Sequence, residues 1–163
     1  MKIKPLPPLE ELKEVLDYNP DTGIIIWKKK VRGNVEIGQE AGSVNSKGYR
    51  IIKFKRKQYL AHRIAYYMYH GIDPLEKKLL DHENLNKQDN WIKNLRLATH
   101  QENGRNRNLN KNNTSGATGV GWHKIRRKWE AHIKVNFKKK FLGFFVNKED
   151  AIQARKEGEK KYF

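Results

Sequence analysis

The stretch from Leu79 to Asn106, LLDHENLNKQDNWIKNLRLATHQENGRN, constrains the fold of this 163-residue chain more than any other part of it. Two apolar residues lead into Asp81 and His82, and a polar loop then runs to Asn94. The short, largely apolar segment at residues 95–98 suits a buried strand. The stretch therefore predicts two short strands joined by a long polar loop.

A helix is predicted directly after the second strand. Thr99 and Glu102 have the spacing of a capping box, in which the threonine is the N-cap and the glutamate is its reciprocal partner. A helix that begins there carries Asn103, Asn106 and Arg107 on neighbouring turns. The local prediction is strand, loop, strand, helix.

The polar residues of this stretch suit the hydrolysis of a phosphodiester bond. An aspartate carboxylate and an asparagine carbonyl are hard oxygen ligands for Mg²⁺ or a similar divalent ion. A neighbouring histidine can remove a proton from an attacking water near neutral pH. Adjacent residues of a strand point to opposite faces, so Asp81 and His82 can serve one site only if the backbone twists or bulges at the strand end.

The order Asp81-His82, Asn94-Leu95 and Glu102-Asn103-Gly104-Arg105-Asn106 resembles the HNH nucleases, whose site is a ββα-metal hairpin. The resemblance implies that His82 is the catalytic general base and that Asp81 is a metal ligand. It also implies that Asn94 belongs to the catalytic set by bracing the loop through hydrogen bonds to the backbone.

The third position of the motif is often histidine in that family, and here it is Asn103. This resembles the asparagine variant of phage and intron homing endonucleases. It leaves Asp81 and Asn103 as the expected ligand pair, and it disfavours a histidine-rich zinc site. Mg²⁺ is the favoured metal, with Mn²⁺ as the alternative.

The charge of the chain predicts a polyanionic partner. Lysine and arginine number 35 against 18 aspartates and glutamates, which gives a formal net charge of +17. Charge alone does not separate DNA from RNA or from an anionic membrane. Together with the HNH resemblance, it makes double-stranded DNA the expected partner, while the oligomeric state stays open with a monomer favoured.

Several classes of protein are disfavoured by what the sequence lacks. The chain has no cysteine, so neither disulfides nor thiolate zinc sites are available. No apolar run approaches the ~20 residues that span a bilayer, and no signal sequence opens the chain. We therefore expect an intracellular protein that is neither secreted nor bound to a membrane.

The segment before the hairpin is predicted to be small and β-rich, with strands at residues 23–28 and 49–54. A helix is expected from Ala61 to His70, ended by Gly71. His62 and Arg63, at the start of this helix, are candidate DNA contacts. For His62 a partly buried position in the core is an equal alternative.

A second domain is predicted after a polar, asparagine-rich linker. Strands are expected at residues 119–123, 129–135 and 139–145, followed by a helix from Lys148 that Asn147 caps. The predicted fold class is therefore α+β: a ββα-metal hairpin between a small β-rich segment and a three-stranded antiparallel sheet with one helix. The predicted divisions are 1–75 for the N-terminal segment, 76–108 for the catalytic motif, 109–116 for the linker and 117–163 for the second domain.

The second domain resembles the AP2/ERF DNA-binding domain in Gly119-Val120, Trp129-Glu130-Ala131-His132-Ile133, Leu142-Gly143-Phe144-Phe145 and Glu149-Asp150-Ala151. The resemblance implies that the sheet lies in the major groove, with its outward side chains on bases and phosphates. Gly121 replaces an arginine of that family and His132 replaces an acidic residue, so a different target sequence is expected. The candidate DNA contacts of this domain are His123, Arg126, Arg127, His132, Lys134 and Lys139, and those near the hairpin are Arg105, Asn106 and Arg107.

The sequence thus favours a site-specific HNH endonuclease, of the homing type carried by a phage or another mobile element. A non-catalytic, sequence-specific DNA-binding regulator that keeps the hairpin as a scaffold is the alternative. The intact Asp81, His82 and Asn103 count against this alternative, because a scaffold does not require them. An RNA-binding structural protein is a third class, supported by the charge alone.

Overall fold

The computed structural model describes residues 4–31, 35–74 and 79–163, and the chain divides into two compact units, Met1–Asn106 and Arg107–Phe163. The described elements form a mixed α+β architecture of four α-helices and small antiparallel sheets, as predicted. The boundary predicted between residues 75 and 76 lies outside the described residues. No helix in the described ranges is long and apolar enough to cross a membrane.

The described residues of the first unit form three small sheets. Its elements are α1 (Leu9–Val15), β1 (Leu16–Tyr18), β2 (Ile25–Trp27), β3 (Ser43–Val44), β4 (Arg50–Phe54), β5 (Lys57–Leu60), α2 (Ala61–His70), β6 (Leu79–His82), β7 (Leu95–Ala98) and α3 (His100–Arg105). Strand β1 pairs with β2, β4 pairs with both β3 and β5, and β6 pairs with β7, all antiparallel. The predicted helix from Ala61 to His70 is confirmed, and Gly71 ends it in the left-handed conformation with φ 71°.

One apolar core holds the first unit together. Helix α2 buries Ala61, Ile64 and Ala65 completely, and it contacts α1, β1, β4 and β5. Leu95 of β7 joins this core, so the β6–β7 hairpin is anchored to the elements that precede it. Burying a side chain such as Ile64 contributes about 1.5–3 kcal/mol to folding.

The second unit is a three-stranded antiparallel sheet with one helix. Its elements are β8 (Val120–His123), β9 (Lys128–Val135), β10 (Lys138–Phe145) and α4 (Lys148–Tyr162), and β9 is the central strand. Helix α4 packs on one face of the sheet, where Val120, Ala131 and Ala151 form the buried core. The predicted sheet-plus-helix arrangement of this part of the chain is confirmed.

The last residues of the predicted linker are ordered by hydrogen bonds within the second unit. Ser115 is buried, and its hydroxyl donates to the backbone oxygen of Val120 at 2.8 Å. The side chain of Asn113 accepts from the Gly116 amide at 2.7 Å and donates to the backbone oxygen of Ala117 at 3.0 Å. These contacts place Asn113 to Ala117 structurally with the sheet rather than with a free tether.

We predict that Gly119→Ala destabilises the second unit by more than ~1 kcal/mol. Gly119 has φ +75°, and a Cβ there would lie 2.3 Å from the backbone oxygen of His132. The matched control is Gly121→Ala, because no atom of the described residues lies within 4 Å of the Cβ it would add. The free energy of unfolding of the second unit is measured by urea denaturation, with hydrogen exchange at the amides of β9 as the probe. If the two variants lost the same free energy of unfolding, the contact between a Cβ at residue 119 and the His132 backbone would not be the cause.

Candidate functional site

The predicted order of strand, loop, strand and helix is confirmed for the central stretch. In the β6–β7 pair, Asp81 lies opposite Arg96 and His82 lies opposite Leu95. A short 3₁₀ turn at Ile92–Asn94 returns the loop into β7. The capping box is present as well: the Thr99 side chain accepts from the Glu102 amide at 3.2 Å, and the Glu102 carboxylate accepts from the Thr99 amide at 2.7 Å.

Asn94 closes the loop between the two strands. Its side chain is buried, accepts from the Asn84 amide at 2.9 Å and donates to the backbone oxygen of Asp89 at 2.7 Å. Its own backbone oxygen accepts from the Glu83 amide at 2.9 Å. These are hydrogen bonds to the backbone of the kind predicted for Asn94, while its membership of the catalytic set stays a prediction.

His82 lies at the end of β6 in a buried, mainly aromatic environment. Only 4% of the residue is exposed, and its ring packs edge-to-face on His62 with the centroids 4.9 Å apart. Nε2 lies 3.1 Å from Oδ1 of Asn90. Burial lowers the pKa of His82, against the opposing effects of the Asn90 hydrogen bond and the Asp81 charge. His82 is therefore neutral near pH 7, which is the form that accepts a proton.

Asp81 is bound by Asn106, the residue directly after α3. The Asn106 side chain donates to Asp81 Oδ2 at 2.9 Å and to the backbone oxygen of His82 at 2.8 Å. The Arg96 guanidinium reaches the same carboxylate oxygen only at 3.5 Å. The amide of Asn106 thus joins the two residues at the strand end, while its predicted contact with DNA stays a prediction.

Asn103 is half-buried in α3, one turn after the N-cap. Its amide donates to the backbone oxygen of Thr99 at 3.0 Å. Within the described ranges, the side chain of Asn103 makes no hydrogen bond that would compete with a metal ligand role. The pairing of Asp81 with Asn103 as metal ligands stays a prediction.

The oxygen donors near the strand end fit a hard divalent cation. Asp81 supplies a carboxylate at the strand end, and Asn106, which donates to it, also carries an amide oxygen; Asn103, in α3, is the second predicted ligand. Mg²⁺ is commonly bound by one or two carboxylates, with water and substrate phosphates as the other ligands. A zinc site fits less well, since the described residues contain no group of three or more His, Cys, Asp or Glu side chains arranged to hold a metal.

His62 and Arg63 are buried core residues, each only 6% exposed. The Arg63 guanidinium binds the Asp73 carboxylate with two of its nitrogens and donates to the backbone oxygen of Lys4 with the third. Nδ1 of His62 is buried without a hydrogen bond among the described residues. The burial of both side chains argues against the predicted DNA contacts, and for His62 it favours the alternative of a core position.

One face of the second unit's sheet collects the residues predicted to contact DNA. Because side chains alternate along a strand, the face opposite α4 carries the strand positions that do not join the core. The register places Gly121 opposite Glu130, Phe141 opposite His132 and Lys139 opposite Lys134. The candidate contacts on this outer face are His123, His132, Lys134 and Lys139.

The turn between β8 and β9 adds Arg126 and Arg127 beside this outer face. The Arg126 guanidinium lies 4.8 Å from the centre of the Phe144 ring, and His123 packs on the same ring at 5.1 Å. Phe141 packs on Phe144 at 4.8 Å and is itself 55% exposed. The outer face therefore combines cations with accessible aromatic rings, a combination suited to nucleic acid.

Two features of the outer face were missed from the sequence. Glu130 binds Lys139 at 2.8 Å, and this contact lowers the pKa of its carboxyl group. A bulge between Phe141 and Gly143 shifts the register, so Phe144 lies opposite Glu130. Strict alternation along β9 could have placed Glu130 on the outer face, but nothing in the sequence marks the bulge except Gly143.

Arg105 and Arg107 flank the end of the first unit. Arg105 is the last residue of α3 and Arg107 is the first residue of the second unit, and both side chains are exposed. Their predicted contact with DNA stays a prediction.

A comparison with protein families gives one match: the family model of HNH endonuclease matches residues 59–105. The matched range runs from β5 through α2 and the β6–β7 hairpin to the last residue of α3. The chain therefore carries an HNH endonuclease family domain at these residues. No curated protein and no solved structure matches the chain.

We predict that the first unit loses stability as the pH falls below about 6.5, because of His62. Burial, together with the charges of His82 and Arg63, lowers its pKa from 6.5 to about 3. Between these two values the unfolded chain binds a proton that the folded chain does not, so the free energy of unfolding falls as the pH falls. At pH 5.5 the loss is about 1.4 kcal/mol relative to neutral pH.

The measurement for His62 is the free energy of unfolding at pH 7.5 and 5.5, followed through the amides of α2. His62→Gln keeps a polar side chain that does not titrate, so its pH dependence should be shallower than that of the unchanged protein. The matched control is His100→Gln at an exposed position. The idea fails if His62→Gln and His100→Gln show the same pH dependence.

Proposed function

We propose that this protein is a site-specific DNA endonuclease of the HNH type, which hydrolyses phosphodiester bonds with one divalent metal ion. The observation that carries the proposal is the strand end of the HNH domain. There, a neutral, buried His82 follows the carboxylate of Asp81, and the Asn106 amide holds both residues. This is a proton acceptor beside a hard oxygen ligand, which is the pair that the reaction requires.

His82 acts as the general base in this proposal. It accepts a proton from the water whose oxygen forms the new bond to phosphorus, while the bond to the leaving 3′ oxygen breaks. A neutral imidazole is required for this step, and burial of His82 supplies it by lowering the pKa. The hydrogen bonds between the Asn94 side chain and the loop backbone fix the end of β6, where His82 lies.

Asp81 and Asn103 would hold the divalent ion, with Mg²⁺ favoured and Mn²⁺ as the alternative. When bound, the ion supplies positive charge at the scissile phosphate and stabilises the leaving oxygen. Asp81 Oδ2 accepts from the Asn106 amide at 2.9 Å and from the Arg96 guanidinium at 3.5 Å, so both partners orient the carboxylate.

The second unit would select the DNA site. A small antiparallel sheet fits the major groove, and lysine and arginine side chains position it on phosphates. The outer face of this sheet carries Lys134, Lys139 and the Arg126–Phe144 pair, which supports the AP2/ERF-like role that its sequence implies. A homing endonuclease of a phage or another mobile element, acting on double-stranded DNA as a monomer, is the particular function we propose.

We predict that His82→Ala and Asp81→Ala impair cleavage in two different ways. His82→Ala should lower the single-turnover rate by about 10²–10⁴-fold at saturating Mg²⁺, because it removes the general base. Asp81→Ala should raise the Mg²⁺ concentration that gives half the maximal rate, because it removes a ligand. The measurement is plasmid cleavage across a series of Mg²⁺ concentrations, with DNA affinity determined separately in Ca²⁺.

The matched control for this pair is His70→Ala, at an exposed position at the end of α2. It should leave the rate, the Mg²⁺ midpoint and the DNA affinity unchanged. If the wild-type protein binds DNA but never cleaves it, the proposed endonuclease activity is wrong, and the alternative of a non-catalytic DNA-binding regulator is supported.

We predict that Lys134→Ala weakens DNA binding and makes it less dependent on salt. Lys134 is exposed on the outer face of the sheet, and each lost phosphate contact changes the slope of log K against log salt by about 0.9. The control is Lys156→Ala, which removes an exposed lysine from α4. Binding is measured from 50 to about 300 mM salt. If both variants changed the DNA affinity and its salt dependence equally, the outer face of the sheet would not be the DNA-binding surface.

A further inference from the structure

A single hydrogen bond determines which nitrogen of His82 is free. Oδ1 of Asn90 lies 3.1 Å from Nε2, and the two residues are only 3% and 4% exposed. An amide oxygen accepts hydrogen bonds and cannot donate them, so the ring must donate from Nε2. A neutral imidazole has one N–H group, and the lone pair of His82 is therefore on Nδ1.

Nδ1 is the ring nitrogen of His82 that the described residues leave without a partner. In the described part of the chain, Nδ1 of His82 makes no hydrogen bond. The histidine nitrogens that are fully buried there without a partner are Nδ1 of His62 and Nδ1 of His132. The Asn90 contact thus holds the proton of the ring on Nε2 and leaves the basic nitrogen, Nδ1, without a hydrogen bond among the described residues.

The position of Asn90 depends on the turn between β1 and β2. The Tyr18 hydroxyl donates to the backbone oxygen of Asn90 at 2.8 Å, across 72 residues of sequence. The Ile92 amide donates to the backbone oxygen of Pro20 at 3.1 Å. The backbone at Gly23 is so close that a Cβ there would lie 2.5 Å from the Asn90 carbonyl carbon and 2.3 Å from the Trp91 nitrogen.

We propose that Asn90 is a positioning residue for His82, and that the β1–β2 turn is the support that holds Asn90. Asn90 keeps the Nε2–H tautomer and the ring orientation, so that Nδ1 accepts the proton from water. The turn extends the functional site beyond residues 59–105, to a segment that the HNH family match does not cover. This inference rests on the proposed role of His82 as the general base.

The test combines a spectrum with kinetics on the full-length protein. Long-range ¹H–¹⁵N spectra of the histidine rings at pH 7.5, without DNA or metal, identify the tautomer of His82. We expect the Nε2–H form in the unchanged protein and in Asn90→Asp, which keeps an acceptor oxygen, and a loss of that preference in Asn90→Ala.

In cleavage assays with Mg²⁺, Asn90→Ala should lower kcat by about 10–100-fold while KM for DNA changes by less than about two-fold. Asn90→Asp should restore most of the rate. Tyr18→Phe removes only the hydrogen bond to the Asn90 backbone and should lower kcat in the same direction by about 2–10-fold. The matched control is Asn86→Ala, an exposed asparagine of the same loop whose side chain accepts from the Gln88 amide.

An Nδ1–H tautomer in the unchanged protein would overturn the proposal, and so would an Asn90→Ala variant with unchanged kcat. If Asn90→Ala does not fold, the other two variants test the proposal. An Nδ1–H tautomer in Asn90→Asp, or an unchanged kcat in Tyr18→Phe, would then contradict it. The spectrum is recorded without substrate, so a protein that shows the Nε2–H form but never cleaves DNA would refute the proposed function and leave the His82–Asn90 contact standing.

Discussion

The closed loop between β6 and β7 is the feature on which the other residues of the candidate site depend. Asn94 closes it, because one buried amide group satisfies backbone groups at both Asn84 and Asp89. Each such hydrogen bond contributes about 1 kcal/mol, and an unpaired buried amide would cost about 1–3 kcal/mol. With the loop closed, the register of the hairpin sets His82 opposite Leu95, and Leu95 enters the core of the first unit.

Burial accounts for the chemistry of the two histidines in this unit. His62 and His82 pack ring against ring, and burial lowers the pKa of both. A net charge of +17 already favours a polyanionic partner, so the proposed general base does not need to be cationic to attract one. In the proposed mechanism, lysine and arginine side chains attract the partner and a buried, uncharged imidazole accepts the proton.

Local signals predicted the parts of the fold that depend on neighbouring residues. The capping box at Thr99 and the helix from Ala61 to His70 follow from spacing within a few residues, while the outer face of the second sheet was predicted from the AP2/ERF resemblance. The contacts that the sequence did not predict join distant residues. Asn106 reaches back 25 residues to Asp81, and Arg63 is held by Asp73 and by the backbone of Lys4. A charged or polar side chain gives no sign in the sequence that a distant partner will bury it.

The close approach of Gly23 to Asn90 and Trp91 limits how the HNH domain can be moved to another protein. The family match begins at residue 59, and a chimera cut at that point would carry the strands, the loop and the helix of the hairpin. It would leave behind Tyr18, Pro20 and Gly23, which hold the far side of the loop. The transplantable unit is therefore discontinuous: the hairpin has to be moved together with the turn from β1 to β2.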